Sequence, residues 1–129
     1  MHQDYYELSN GRQAISYIYE YHLGFAYGNA LKYIVRAGRK DNNSAESDLN
    51  KALTYITSAD KELSFIKRIF MRLCNSWSYD NSAVFSDKSI SNIIKAIIKF
   101  DKPSKIATMI VKYMRLRGIN VKSEFTKYE

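Results

Sequence analysis

Gly24-Phe-Ala-Tyr-Gly-Asn-Ala-Leu-Lys-Tyr-Ile-Val-Arg-Ala-Gly38-Arg-Lys40 is the stretch from which the architecture is most directly read. Phe25, Ala30 or Leu31, Ile34 and Val35 recur every three to four residues, the period of an amphipathic helix and not of a strand. Gly38 stands where a helix ends on a left-handed residue. Asn29, Lys32, Arg36 and Lys40 step by the same intervals, so they share a second face that is polar and basic. Asn43 to Glu46 then reads as a capping box opening another helix. On that helix Asp48, Lys51 and Tyr55 form a stripe of their own. A short connection makes the two helices antiparallel neighbours whose stripes meet.

Beyond this pair the chain reads as helix throughout. Asn10-Gly11 favours a turn, and Ile15, Ile18 and Tyr21 or His22 give a short first helix that stops at Leu23-Gly24. From Asn43 the apolar stripe Leu49, Ala52, Leu53, Ile56, Leu63, Ile66 and Phe70 continues to about Leu73 without Gly or Pro, which predicts one long helix. Cys74 to Phe85 is polar with scattered rings, a loop pinned by Trp77 and Phe85. Ser86 caps a helix through Ile90, Ile93, Ile94, Ile97 and Ile98, for which strand is the competing reading because of the isoleucine content. Pro103 and Gly118 bracket a last helix through Ile106, Met109, Ile110, Tyr113 and Met114. The tail is frayed, or extended through Ile119 and Val121. The expected architecture is all-α, a compact bundle of about five helices in a single domain over residues 1–129. Residues 1–73 carry the motif, 74–85 the loop, and 86–129 a basic helical hairpin and tail. Its core draws on Ile15, Ile18, Phe25, Ile34, Leu53, Ile56, Leu63, Ile94, Ile97, Ile110 and Met114.

Composition agrees with this reading. Of 129 residues, 46% are hydrophobic and 26% charged, the balance of a globular chain. One Pro and five Gly supply too few turns for a sandwich or barrel. One cysteine, Cys74, forms no internal disulfide, and no segment has the length or apolarity of a spanning helix. These features predict a cytoplasmic protein with no membrane partner. The net charge of +7 points to a polyanionic partner. The excess sits after residue 60, in Lys67, Arg68, Arg72, Lys95, Lys99, Lys102, Lys105, Lys112, Arg115 and Arg117.

Several chemistries are excluded by the residues missing for them. The glycines are scattered, so no P-loop can form. One Cys and two His cannot furnish a four-ligand structural zinc site. Cys74 has only His22 as a potential base and reads as a coincidental thiol. Glu46, Asp48, Asp60 and Glu62 cluster near a helix start, but solvated helix-face charges account for them, and no metal site is assigned.

Asn29, two or three cations and tyrosine rings are the inventory for holding a phosphate and a base together. The competing reading is a solvated salt-bridge face with Arg36 and Asp48 paired across helices. Gly28-Asn-Ala-Leu-Lys-Tyr-Ile-Val-Arg-Ala-Gly-Arg-Lys40 followed by Asp48-Leu-Asn-Lys-Ala-Leu-Thr-Tyr55 resembles the signature of a small bacteriophage family of nucleotide kinase-like proteins or proteins of unknown function. The resemblance spans about Tyr5 to Leu63. It implies a phage or prophage origin, the cytoplasm of a bacterial host cell, and a ligand among nucleoside monophosphates or related nucleotides. It also implies nucleotide-binding roles for Asn29, Lys32, Tyr33, Arg36, Lys40, Asp48, Lys51 and Tyr55. Where members of that family open with His-Tyr, Gly and an Ile-Glu-x-Ile-Asp segment, this chain has Tyr5-Tyr6, Gly11, Gln13, Ile15 and Ser16. If the missing acids and His carry proton transfer or metal binding, the frame persists without the chemistry.

The expected function is therefore nucleotide binding, either as an atypical monophosphate kinase or as a non-catalytic binder. Binding requires no cofactor, and Mg2+ enters only for a kinase. The alternatives are a phage anti-defence inhibitor that binds a host defence protein complex or sequesters an immune signalling nucleotide, and a nucleic-acid-binding protein. The surface for a protein partner is Lys95, Lys99, Lys105, Lys112 and Arg115. The connection Asp101-Lys102-Pro103 lacks the glycine of a helix-turn-helix, which ranks nucleic acid last. A pocket built from so few helices is compatible with completion across a homodimer.

Overall fold

A computed structural model describes residues 4–8, 10–39, 44–79 and 87–129. Its α-helices run in the order α1 (Ala14–Glu20), α2 (Gly24–Arg36), α3 (Ala45–Thr57), α4 (Phe65–Ser78), α5 (Lys88–Ile98) and α6 (Pro103–Leu116). Short 3-10 segments lie at Asp4–Tyr6, Ala59–Lys61 and Ser123–Tyr128. Among the described residues the one β feature is an isolated bridge between Glu7 and Gln13. The fold is all-α. The isoleucine-rich segment is a helix, because Ile90, Ile93, Ile94 and Ile97 all fall on one buried face.

The antiparallel pair α2 and α3 is the centre of the packing, with α1 and α5 against α2, and α6 against α3. Leu31 and Ile34 of α2, Leu49, Leu53 and Ile56 of α3, Ile94 and Ile97 of α5, and Ile106, Ile110 and Met114 of α6 form its core. Each such side chain contributes about 1.5–3 kcal/mol when fully buried. Gly28 lets α1 approach, since a Cβ there would lie 3.1 Å from Cγ2 of Ile18. The left-handed Gly38 ends α2, and Pro103 and Gly118 bracket α6, as their positions predict.

Other expectations are corrected. The single long helix expected from Asn43 to Leu73 is instead two helices, α3 and α4, so the bundle of about five has six α-helices among the described residues. The hydroxyls of Thr57 and Ser58 donate to the carbonyls of Leu53 and Tyr55 at the end of α3. Local bonds of this kind compete with helix continuation. Ser64 then caps α4 by accepting from the Lys67 amide at 3.3 Å. Ile66 and Phe70, expected in the core, are exposed. So are Ile15 and Phe25. Helix α1 buries Ala14 and Tyr17 instead, followed by Tyr21, one of the two residues expected to end the stripe, while Ile18 is half-buried against the core. These rings tolerate burial because Tyr17 accepts at its hydroxyl from Asn10 and Tyr21 donates to the Ser78 carbonyl.

The start of α3 is capped by Ser44, which accepts from the Ser47 amide, and that of α5 by Asp87. Asn43, Phe85 and Ser86, expected as caps and a loop pin, lie outside the described residues, as does Lys40. Cys74 to Ser78, expected in the loop, belong to α4, which carries Trp77 fully outward. The tail is not frayed, and residues 119–122, which include the expected extended piece, lie outside any helix. The tail closes in a 3-10 segment whose Phe125 is buried, and Asn50 holds it by donating to the Asn120 carbonyl and accepting from the Lys122 amide.

Candidate anion-binding face on α2 and α3

Helix α2 starts under unusual control. The Phe25 and Ala26 amides donate to the two carboxylate oxygens of Glu62, at 2.8 and 2.7 Å. A carboxylate there satisfies orphan donors and complements the positive end of the helix dipole. Glu62, Glu46, Asp48 and Asp60 are separated in the fold, with Glu62 bonded to the start of α2, Asp48 in the interior, and Glu46 and Asp60 at the surface.

At the end of α2, Arg36 turns inward. Its Nη2 and Nε donate to Oδ1 of Asp48, at 2.7 and 3.1 Å, and its Nη1 donates to the Tyr6 hydroxyl at 3.0 Å. Both charged residues are buried, Asp48 completely. Burial works against the Arg36 cation, but the bonds and charge of Asp48, with help from Tyr6, outweigh it and raise the guanidinium above its ordinary value. The expected pairing across helices is present, but in the core and not on a solvated face. The reason is geometric: Arg36 belongs to the face of α2 that packs on α3.

Around this buried pair the remaining motif residues form a cation and aromatic cluster. Three cations stand against the Tyr33 ring: Arg36 at 4.5 Å, Lys32 at 5.0 Å and Lys51 at 5.5 Å from its centroid. The ring stacks on Tyr55 at 5.8 Å with 7° between planes. Tyr55 in turn meets the edge of the exposed Phe25 at 5.5 Å. Lys32 and Arg36 also lie 5.9 and 5.8 Å from the Tyr6 ring. Lys51 is exposed and Lys32 half-buried. Asn29, one turn earlier on α2, donates to the Phe25 carbonyl of its own helix. The structure thus brings Lys32, Tyr33, Arg36, Asp48, Lys51 and Tyr55 together. Tyr6 is the member that spacing could not reveal, because its place depends on the N-terminal segment folding across α2.

The cationic residues of the second half divide. Lys95, Lys99 and Lys105 line one groove of about 330 Å³ between α4, α5 and α6. Arg72, which is not among the five residues expected at that surface, joins them from α4. At the floor of the groove Asp101 receives Lys105 at 3.1 Å and Arg72 at 3.4 Å. Lys112 lines a neighbouring groove with Tyr113 and Leu116, and Arg115 is ion-paired with Glu129. The five residues expected to form one surface therefore occupy three places.

No helix among the described residues is long and apolar enough to cross a membrane. No curated protein and no solved structure matches the chain. Residues 2–57, which contain Tyr6 and the cluster on α2 and α3 and end with α3 itself, match the model of a family described as protein of unknown function, DUF3310.

Proposed function

We propose that the protein binds a nucleotide or nucleotide-derived ligand on the face formed by Lys32, Tyr33, Lys51 and Tyr55. The observation that carries this reading is the convergence of the two lysines on Tyr33, a ring already stacked on Tyr55. Two ammonium groups attract a phosphate, and rings beside them offer a base the flat surface it stacks on. Phe25 extends that aromatic surface into solvent. Arg36 and Asp48 hold the two helices at the spacing the face needs, so they are positioning residues.

Binding without turnover is the form of the reading that the residues favour. The carboxylate within the cluster, Asp48, is held by Arg36 in the interior, where it is poorly placed to act as a base or to hold Mg2+. The resemblance to phage nucleotide kinase-like proteins keeps an atypical monophosphate kinase as the competing form, and sequestration of a signalling nucleotide fits the non-catalytic one.

A thermal-shift screen against nucleoside monophosphates, triphosphates, NAD-derived and cyclic nucleotides tests the proposal. A ligand present at 100 times its Kd adds about 2.7 kcal/mol to the stability of the native state. The expected result is a stabilising nucleotide whose effect disappears in Lys32→Ala/Lys51→Ala while the unliganded Tm stays close to the parent value. No response to any nucleotide, or an unchanged response in the double variant, overturns it. Phosphoryl transfer in a coupled assay would replace the non-catalytic form with the kinase.

A further inference from the structure

Helix α4 is built inside out. The face it turns to the body is anchored by polar groups: Arg68 donates to the Phe100 carbonyl, and Asn75 donates to the carbonyls of Tyr21 and Ile98, with Met71 half-buried against the core beside them. Arg68 and Asn75 are buried. Four of its apolar residues point away, with Ile66 80%, Phe70 63%, Leu73 68% and Trp77 93% exposed. A surface helix ordinarily does the reverse. Ile66, Phe70, Leu73 and Trp77 are spaced by four, three and four residues, the rhythm of a coiled-coil seam. At 100° per residue they fall within an arc of about 60°, opposite Arg68 and Asn75.

Two features select the occupant. Along the length of α4 the stripe is narrow, bounded by Lys67 and Cys74 on one side and by Ser76 and Arg72 on the other; at that second margin Ile69 is half-buried, and the exposed Phe65 of the first turn has its ring centroid 5.5 Å from the Arg68 guanidinium. Such a width suits a partner helix better than the broad apolar face of a helix lying in a membrane interface. The charge beside it is predominantly positive, with Asp101 the one carboxylate lining the adjoining groove against Arg72, Lys95, Lys99 and Lys105. Helix α4 contains no carboxylate, and Lys95, Lys99 and Lys105 continue the positive field from Arg72 along the adjoining groove. A second copy of α4 would meet these cations with more cations. We infer that α4 is a docking helix for an acidic amphipathic helix of another protein, with Ile66, Phe70, Leu73 and Trp77 as the seam and Lys67, Arg72 and the groove lysines pairing with carboxylates on its flanks. This surface lies outside the segment that carries the nucleotide proposal and does not depend on it.

Trp77 is the one tryptophan in the chain, so its emission reports on the seam directly. The probes are a helical peptide with Leu at the a and d positions and Glu elsewhere, the same peptide with Lys for Glu, and phosphatidylserine vesicles. The expected result is a saturable blue shift with the Glu peptide. High salt should weaken that binding by about tenfold or more, as should Lys67→Glu/Arg72→Glu. Phe70→Glu or Leu73→Glu should abolish it with the Tm unchanged, because these side chains face outward. An equal shift with the Lys peptide overturns the acidic partner, and a shift with vesicles instead of peptide overturns the helix partner. Concentration-dependent dimerisation that buries Trp77 assigns the seam to a second copy, and a marked loss of Tm in the seam variants shows that it packs within the chain. Either result ends the proposal.

Discussion

Arg36 and Asp48 show how much one side chain can contribute in this protein. A buried ion pair gains little over apolar residues of the same volume, yet removing one partner strands the other charge in a poor solvent. Asp48→Ala should therefore cost about 3–5 kcal/mol in urea unfolding, while Arg36→Met/Asp48→Leu should recover most of that loss. A double variant as unstable as the single one would mean that the pair contributes specific stability of its own. The stacked Tyr33 and Tyr55 rings should keep their place in the double variant, since the packing of α2 on α3 does not require charge. Nucleotide affinity measured in it would separate the architecture of the face from the charge of Arg36.

At the level of elements, the helix ends carry the information that local pattern missed. Helices α1, α5 and α6 close with the same pair of bonds, from Leu23, Asp101 and Ile119 back to Ile18, Ala96 and Met114, and from the preceding residue back to Tyr19, Ile97 and Arg115. These are Schellman motifs, whose left-handed position normally takes glycine. Gly118 occupies it in α6, but His22 does so in α1 at φ 52° and Phe100 in α5 at φ 54°. The two are not equivalent. His22 is exposed, so His22→Gly relieves backbone strain and should raise stability by about 1 kcal/mol. Phe100 is buried with its ring 4.5 Å from Tyr27. Phe100→Gly should lower stability by about 3 kcal/mol, because the lost packing exceeds the relieved strain. Thermal unfolding of the two variants checks the opposite signs. The stop expected at Leu23-Gly24 falls one residue late for the same reason: His22 already makes the reversal, and Gly24 opens α2.

Across the whole molecule, polar side chains join the segment before α4 to the helices and tail beyond it. Asn50 clasps the tail, the Tyr27 hydroxyl donates to the Asp101 carbonyl at 2.8 Å, and Asn75 bridges the ends of α1 and α5. Helix α4 has few close backbone neighbours and depends on such bonds. Asn75→Ala leaves two buried carbonyls without their donor, at a cost of about 1–3 kcal/mol each if they stay dry. The expected outcome is local: hydrogen-exchange protection of α4 falls while that of α2 and α3 persists. Equal loss throughout would show that α4 and the α2–α3 pair unfold as one unit.

The helical class, the α2–α3 pair, the bounds of α6 and the meeting of Lys32 and Arg36 with Asp48, Lys51 and Tyr55 across α2 and α3 were legible in the order of the amino acids. These rest on residues within a few positions of one another, where helical periodicity and caps act, and on the short connection that makes α2 and α3 antiparallel. Contacts between distant segments set the rest: Arg36 and Asp48 are interior, Glu62 caps α2, Tyr6 joins the cluster, and Arg72 joins three of the five expected basic residues in one groove. The orientation of α4 belongs to the same class. An apolar stripe predicts a buried face only if another element arrives to cover it; here Arg68 and Asn75 found buried carbonyls to satisfy, and those bonds turned Ile66, Phe70, Leu73 and Trp77 outward.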